Sequence, residues 1–140
     1  MTNEEYLVKI KGILEETPEV VAGYFFGSIQ EGYEHKKSDI DIGVLFDNSL
    51  DKFRMFDLEI KLGNKLQGTV KKRVDLLVLN RSDPIIAFKV IRGALIFERD
   101  PTRRSLFEAK VMGLYYHQRH YERFRARVLY ERMRNYESVR

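Results

Sequence analysis

Apolar residues recur along this chain with two periods, and the switches between them divide it into elements. Leu7, Ile10 and Leu14 follow at helical spacing behind Thr2-x-x-Glu5, a capping box, and Thr17-Pro18 ends the helix they predict. Val20 to Phe26 is a short apolar run, and Ile40-Asp41-Ile42-Gly43-Val44-Leu45-Phe46 is a second; both read as β-strands. The segment between them, Ile29 to Ser38, is polar, and its first part is a candidate short helix. Asp47-Asn48-Ser49 then predicts a turn and N-cap for a helix running to about Gln67 and closed by Gly68. Within it Phe53, Phe56, Ile60 and Gly63 form one stripe, with Met55, Leu62 and Leu66 beside it, a wide face expected to pack on a sheet. Arg73 to Asn80 predicts a third strand, Asp83-Pro84 opens a helix that Gly93 closes, and Ala94 to Glu98 predicts a fourth strand. Asp100-Pro101 repeats the start signal, and beyond it Gly113 is the sole breaker. A helix of roughly 35 residues would be about 50 Å long, so part of it is expected to project or fold back.

These elements place the chain in the α/β (α+β) class, with a small mixed sheet of about four strands flanked by helices and a long C-terminal helix. At 140 residues it is read as a single domain, 1–140, in which 100–140 is a helical extension. The absence of cysteine excludes disulfides, thiol catalysis and thiolate-bound zinc. No apolar run has transmembrane length, and the first residues are acidic where a secretory signal would be basic, so a soluble, cytoplasmic protein is expected. Net charge is +4, unevenly spread: residues 1–101 carry 15 Lys+Arg against 17 Asp+Glu, and residues 102–140 carry 10 against 4.

Chemistry is concentrated between Gly27 and Asp41. Asp39 and Asp41, two apart on a strand, present both carboxylates on one face and leave Ile40, Ile42 and Val44 for the core. Clustered carboxylates repel one another unless a cation lies between them, and hard oxygen donors suit Mg²⁺. Gly27-Ser28, where a strand gives way to the next segment, allows backbone N–H groups to approach a phosphate and adds a hydroxyl. Asp-x-Asp alone more often marks a solvated strand face, and Gly-Ser alone a loop. The two together at strand ends point to chemistry on a nucleoside triphosphate. Lys36, Lys37 and Lys71-Lys72-Arg73 could add phosphate contacts, although loop exposure and sheet-edge protection explain them equally well.

The pattern Gly27-Ser28-x10-Asp39-x-Asp41 resembles the signature of the nucleotidyltransferase superfamily that includes DNA polymerase beta. That resemblance implies the nucleotidyltransferase fold and a third carboxylate from a later strand, for which Val74-Asp75-Leu76 offers Asp75. Over nearly the whole chain the sequence also resembles the minimal nucleotidyltransferases (MNT) encoded beside HEPN toxins. By that resemblance Asp39, Asp41 and Asp75 are catalytic and hold two Mg²⁺ ions, Gly27 and Ser28 bind nucleotide, and ATP is the substrate. AMP would pass to a tyrosine of a HEPN-type toxin, an AMPylation by which the antitoxin silences its partner in a hetero-oligomer. Transfer to a small molecule such as an aminoglycoside, a non-catalytic toxin-binding module and self-modification on a tail tyrosine are the rivals.

The final segment mixes Phe107, Val111, Leu114, Tyr121, Phe124 and Val128 with arginines. That composition suits a protein interface first and a nucleic acid second. His117 and His120, one turn apart, lack the carboxylate or Cys partner that a metal site would need. Neither has an Arg five residues before it, as the Arg-x4-His-x-Tyr motif of HEPN toxins would require.

Overall fold

The structure, a computed structural model, describes residues 3–27 and 39–139. Strands β1 (Val20–Phe26), β2 (Ile40–Phe46), β3 (Val74–Val78) and β4 (Ala94–Glu98) form one sheet in the order β3-β2-β1-β4. β1 runs antiparallel to both neighbours, while β2 and β3 are parallel, which makes the sheet mixed as expected. The parallel pair requires a crossover, supplied by α2 (Lys52–Val70).

Strand periodicity divides the core between the two faces. Ile40, Ile42 and Val44 are fully buried on one side, with Ile10 and Leu14 of α1 (Asn3–Glu15) and Leu58, Leu62 and Leu66 of α2. Tyr24 and Leu45 point to the other side, where they meet Ala87 and Val90 of α3 (Pro84–Ile91) and Val111 of α4 (Pro101–Val139). A methyl group added at Gly43 would collide with the Val90 side chain, so this glycine is what lets α3 lie directly on β2.

Several boundaries follow local chemistry. Asp83 caps α3, its carboxylate accepting from Ile85 N at 2.8 Å, and Pro84 fills the first turn. Asp100 caps α4 in the same way through Arg103 N, at 3.1 Å. Thr2 of the expected capping box lies outside the described residues. The guanidinium of Arg99 donates to the carbonyls of Glu15, at 2.8 Å, and Val20, at 3.0 Å, tying the end of α1 to the start of β1.

Three expectations for α2 fail. Its N-cap is Asp51, which accepts from Arg54 N at 2.7 Å, while Asp47 is occupied in a turn with Ser49 N. The helix also continues through Gly68 to Val70 and is closed by Lys71 at φ 55°. More consequentially, Phe53, Phe56 and Ile60 are exposed, Phe53 to 88%, and the face on the sheet is Met55, Leu58, Leu62, Leu66 and Val70. Apolar residues occupy so much of the helix circumference that periodicity defined two stripes, and contact with α1 and the sheet selected the second.

The last helix is unbroken over 39 residues, roughly 58 Å at the standard rise. Its first turns are anchored: Tyr24 donates to Glu108 at 2.6 Å, Glu108 pairs with Arg104 at 2.9 Å, and Arg104 also pairs with Glu98. Burial first, and then the bond to Glu108, push the Tyr24 hydroxyl above its ordinary pKa, so it serves as a donor. Phe107 is half-buried and Val111 fully buried, whereas Leu114, Tyr121 and Phe124 are exposed, so the distal half of α4 projects. No helix among the described residues is long and apolar enough to cross a membrane.

Candidate active site

Register across three strands assembles the site. Asp41 of β2 is level with Phe26 at the end of antiparallel β1 and with Asp75 on parallel β3. Gly27 follows Phe26 at φ +82°, a conformation that L side chains rarely adopt, and a methyl group built on it would overlap Asp41 Oδ2. Both facts restrict the position to glycine, and the chain leaves the sheet directly beside the carboxylate. Ser28 lies outside the described residues, as do Lys36 and Lys37. Asp39 precedes β2, held in line by the bond from Ile40 N to Arg73 O at 3.0 Å.

The electrostatics of this row are unbalanced. Burial raises the pKa of Asp41 above the ordinary value of 3.8, the charges of Asp75 and Asp39 raise it further, and Lys89 on α3 opposes them. Arg73 Nε lies 3.8 Å from Asp39 Oδ2 and 3.7 Å from Asp75 Oδ1, too far for hydrogen bonds and largely exposed, so it screens the pair weakly. Among the described residues no group of three or more His, Asp or Glu side chains is arranged to hold a metal ion by itself. The carboxylates nevertheless fit one that also takes ligands from a substrate. Their oxygens are hard donors, Asp41 bears repulsion that a divalent cation would relieve, and Mg²⁺ commonly binds through one or two carboxylates plus phosphates and water.

A cleft of about 490 Å³ opens from Gly27 between α3 and α4, a size suited to a small ligand. Lys89, Arg92 and Arg119 supply cations to it, and Phe88 and Tyr115 supply stacked rings with centroids 3.8 Å apart. Arg92 lies over Phe88 at 5.5 Å and Arg119 over Tyr115 at 5.4 Å. Sequence reasoning missed these residues. No sequence pattern sets Lys89 and Arg92 apart from basic residues near the end of any helix, or Arg119 from the other arginines of the tail. At the far end of β2 another cleft, of about 480 Å³, includes Asp47 and Arg103. Those two pair at 3.0 Å, and the N–H of Ser49 with Arg103 holds the Asp47 carboxyl below its ordinary pKa, so this cleft is a satisfied structural contact.

Residues 8–102 match the family model described as polymerase beta, nucleotidyltransferase. The chain belongs to the polymerase beta nucleotidyltransferase family. Among curated nucleotidyltransferases it is similar to protein adenylyltransferase MntA of Shewanella oneidensis, 29% identical over 115 residues that cover 82% of this chain and 78% of that one. Of solved structures, it resembles a chain of a toxin–antitoxin complex with AMP-PNP, with a TM-score of 0.70, 26% identity and coverage of 91% and 98%. A chain from the complex of tri-AMPylated Shewanella oneidensis HEPN toxin with MNT antitoxin matches with a TM-score of 0.69 at 23% identity, covering 91% and 98%, a likeness of fold. The nucleotidyltransferase match ends just after β4, so most of α4 lies beyond the family core.

Proposed function

We propose that this chain is the MNT antitoxin of a HEPN/MNT pair, a cytoplasmic protein adenylyltransferase that neutralises its toxin by transferring AMP from ATP to a tyrosine hydroxyl. The observation that carries the reading is the row Gly27, Asp41, Asp75 across three strands, with Asp39 beside it and a basic cleft at its end. The likeness to MntA, and to a toxin–antitoxin chain solved with an ATP analogue, supports the choice of donor and partner.

Asp39, Asp41 and Asp75 would hold Mg²⁺, two ions by the family resemblance, and Gly27 with Ser28 would bring N–H and hydroxyl donors to the phosphates. Bound there, Mg²⁺ would neutralise phosphate charge and favour departure of pyrophosphate. Lys89, beside Asp41 and on the cleft wall, holds the phosphate end of ATP. Arg92 and Arg119 neutralise charge further along. Asp75, on an edge strand and half-exposed, is open to an incoming acceptor and takes the proton of its hydroxyl. Residues 1–100 together with Tyr115 and Arg119 of α4 thus carry the chemistry, and the exposed part of α4 beyond Phe124 docks the toxin in a hetero-oligomer, with its aromatic and arginine side chains as anchors.

The test is transfer of labelled AMP from ATP to a co-purified HEPN-type toxin, with and without Mg²⁺. Label on the toxin that requires Mg²⁺, is lost in Asp39→Ala and Asp41→Asn, and maps to a tyrosine supports the reading. Label on an aminoglycoside alone, or neutralisation of the toxin with undiminished strength by Asp41→Asn, overturns it in favour of the small-molecule transferase or the non-catalytic binder respectively.

A further inference from the structure

A larger groove, of about 930 Å³, lies beyond the end of β2 that is remote from Asp41, between the start of α2, the turn before it, Arg81 and Lys110 of α4. It adjoins the cleft of the Asp47–Arg103 pair and shares Lys110 with it. Leu50, Phe53 and Phe56 give the groove an apolar floor, and Phe53 and Phe56 continue with Ile60 as an exposed stripe on one face of α2. The fold makes no use of that stripe, and contiguous exposed apolar surface marks an interaction site. Among the described residues, every charged one that lines the groove is a cation: Lys52, Arg81 and Lys110. Arg81 is paired with Glu59, whereas Lys52 and Lys110 have no carboxylate partner among the described residues. The free charge of the groove is therefore positive, which suits an apolar segment flanked by carboxylates. A second copy of this chain packed on the same surface would set lysine against lysine, and two free lysines over an apolar floor give a nucleic acid few phosphate contacts.

The groove also continues a face of α4. Leu106 and Phe124 are 18 positions apart, about five turns, so they point the same way, and Lys110 and His117 lie between them within about 40° of that direction. All four are exposed. Tyr115 and Arg119, which wall the cleft beside Gly27, point to the opposite side of the helix. We propose that the groove seats an acidic, apolar segment of the toxin, which runs along this face of α4 from the distal half to the start of α2. The proposal rests on the antitoxin reading above. It gives the toxin a hold on the folded body as well as on the projecting helix, and it leaves the nucleotide cleft uncovered. Apolar contact at Phe53 and Phe56 supplies most of the affinity at the groove, while Lys52 and Lys110 set orientation and exclude basic partners.

The chain has no cysteine, so Phe53→Cys provides a single thiol for a benzophenone label, which is photolysed in the full-length protein's complex with the co-purified toxin. Mass spectrometry then identifies the peptide joined to it. Toxin capture, ATP affinity, and KM and kcat of transfer are measured for wild type, Lys110→Glu, Lys110→Arg and Phe53→Ser, changes at side chains already in solvent. The label is expected to join a toxin peptide that is rich in apolar residues and in which Asp and Glu outnumber Lys and Arg. Lys110→Glu and Phe53→Ser should each weaken capture about tenfold and raise KM for the toxin, with kcat and ATP affinity within about twofold and Lys110→Arg close to wild type. Four outcomes overturn the proposal: capture unchanged in both Lys110→Glu and Phe53→Ser, a label joined to a basic toxin peptide, a label joined only to a second copy of this chain or to RNA, or loss of ATP affinity in parallel with capture. Failure of the adenylyl-transfer reading looks different: the toxin is captured with the expected dependence on Lys110 and receives no AMP. A wild type that captures no HEPN-type toxin removes both.

Discussion

The two faces of the sheet are built from the same strands and do different work. Under α1 and α2, β2 contributes Ile40, Ile42 and Val44, all fully buried in an apolar layer. Under α3 and α4 the alternate residues of the same strand are Asp41, Gly43 and Leu45, of which the last two are buried and Asp41 is not. Polar groups on this second face are paired away from the site, as Tyr24, Glu108 and Arg104 are, and left in mutual repulsion at it. Stability is thus concentrated on one side, and charge that only a ligand can balance on the other.

The largest expected effect comes from Asp41→Asn, which should lower AMP transfer about a thousandfold, on the order of 4 kcal/mol of barrier. The same change should raise the Tm without Mg²⁺ near neutral pH. A carboxyl whose folded pKa lies above its unfolded value stabilises the fold while protonated, and this contribution disappears as pH rises through the folded value. The gain in Tm should therefore vanish below the ordinary value of 3.8. A Tm that falls at neutral pH would mean that the Asp41 charge supports the fold.

On the opposite face, Leu66→Ala removes a fully buried side chain and should cost about 2–5 kcal/mol in urea unfolding. ATP affinity per folded molecule should hold, and its loss would deny the division between faces. Lys89→Met should weaken ATP binding roughly tenfold, about 1.4 kcal/mol, with little change in stability. Calorimetric titration that finds wild-type affinity would remove Lys89 from the phosphate site. The smallest effect is predicted for Phe53→Ser, within roughly 0.5 kcal/mol of wild type because that ring is already in solvent. A loss several times larger would restore the inward stripe that the sequence suggested.

Local chemistry made much of the chain legible. Asp83-Pro84 and Asp100-Pro101 mark helix starts because a carboxylate cap and a proline act within a few residues, whatever the rest of the molecule does. Asp39 and Asp41 share a face because successive strand residues alternate. The outward turn of Phe53 was illegible for the complementary reason, since two apolar stripes on one helix are equivalent until a partner surface exists.

What the sequence determined by itself depends on neighbours along the chain: the caps that open α3 and α4, the alternation in β2, the length of α4 and the candidate carboxylates. Tertiary structure alone decided that Asp75 stands level with Asp41, because parallel register is set across the α2 crossover and the sheet. It also decided that Lys89 faces Asp41 and that Arg119 meets Gly27 at one cleft, although 92 positions separate the latter two in sequence. Such pairings arise from packing α3 and α4 on one face, where Gly43 admits Val90 and Val111 is buried. No local propensity encodes them, because the free energy that selects them comes from burying surfaces contributed by distant segments.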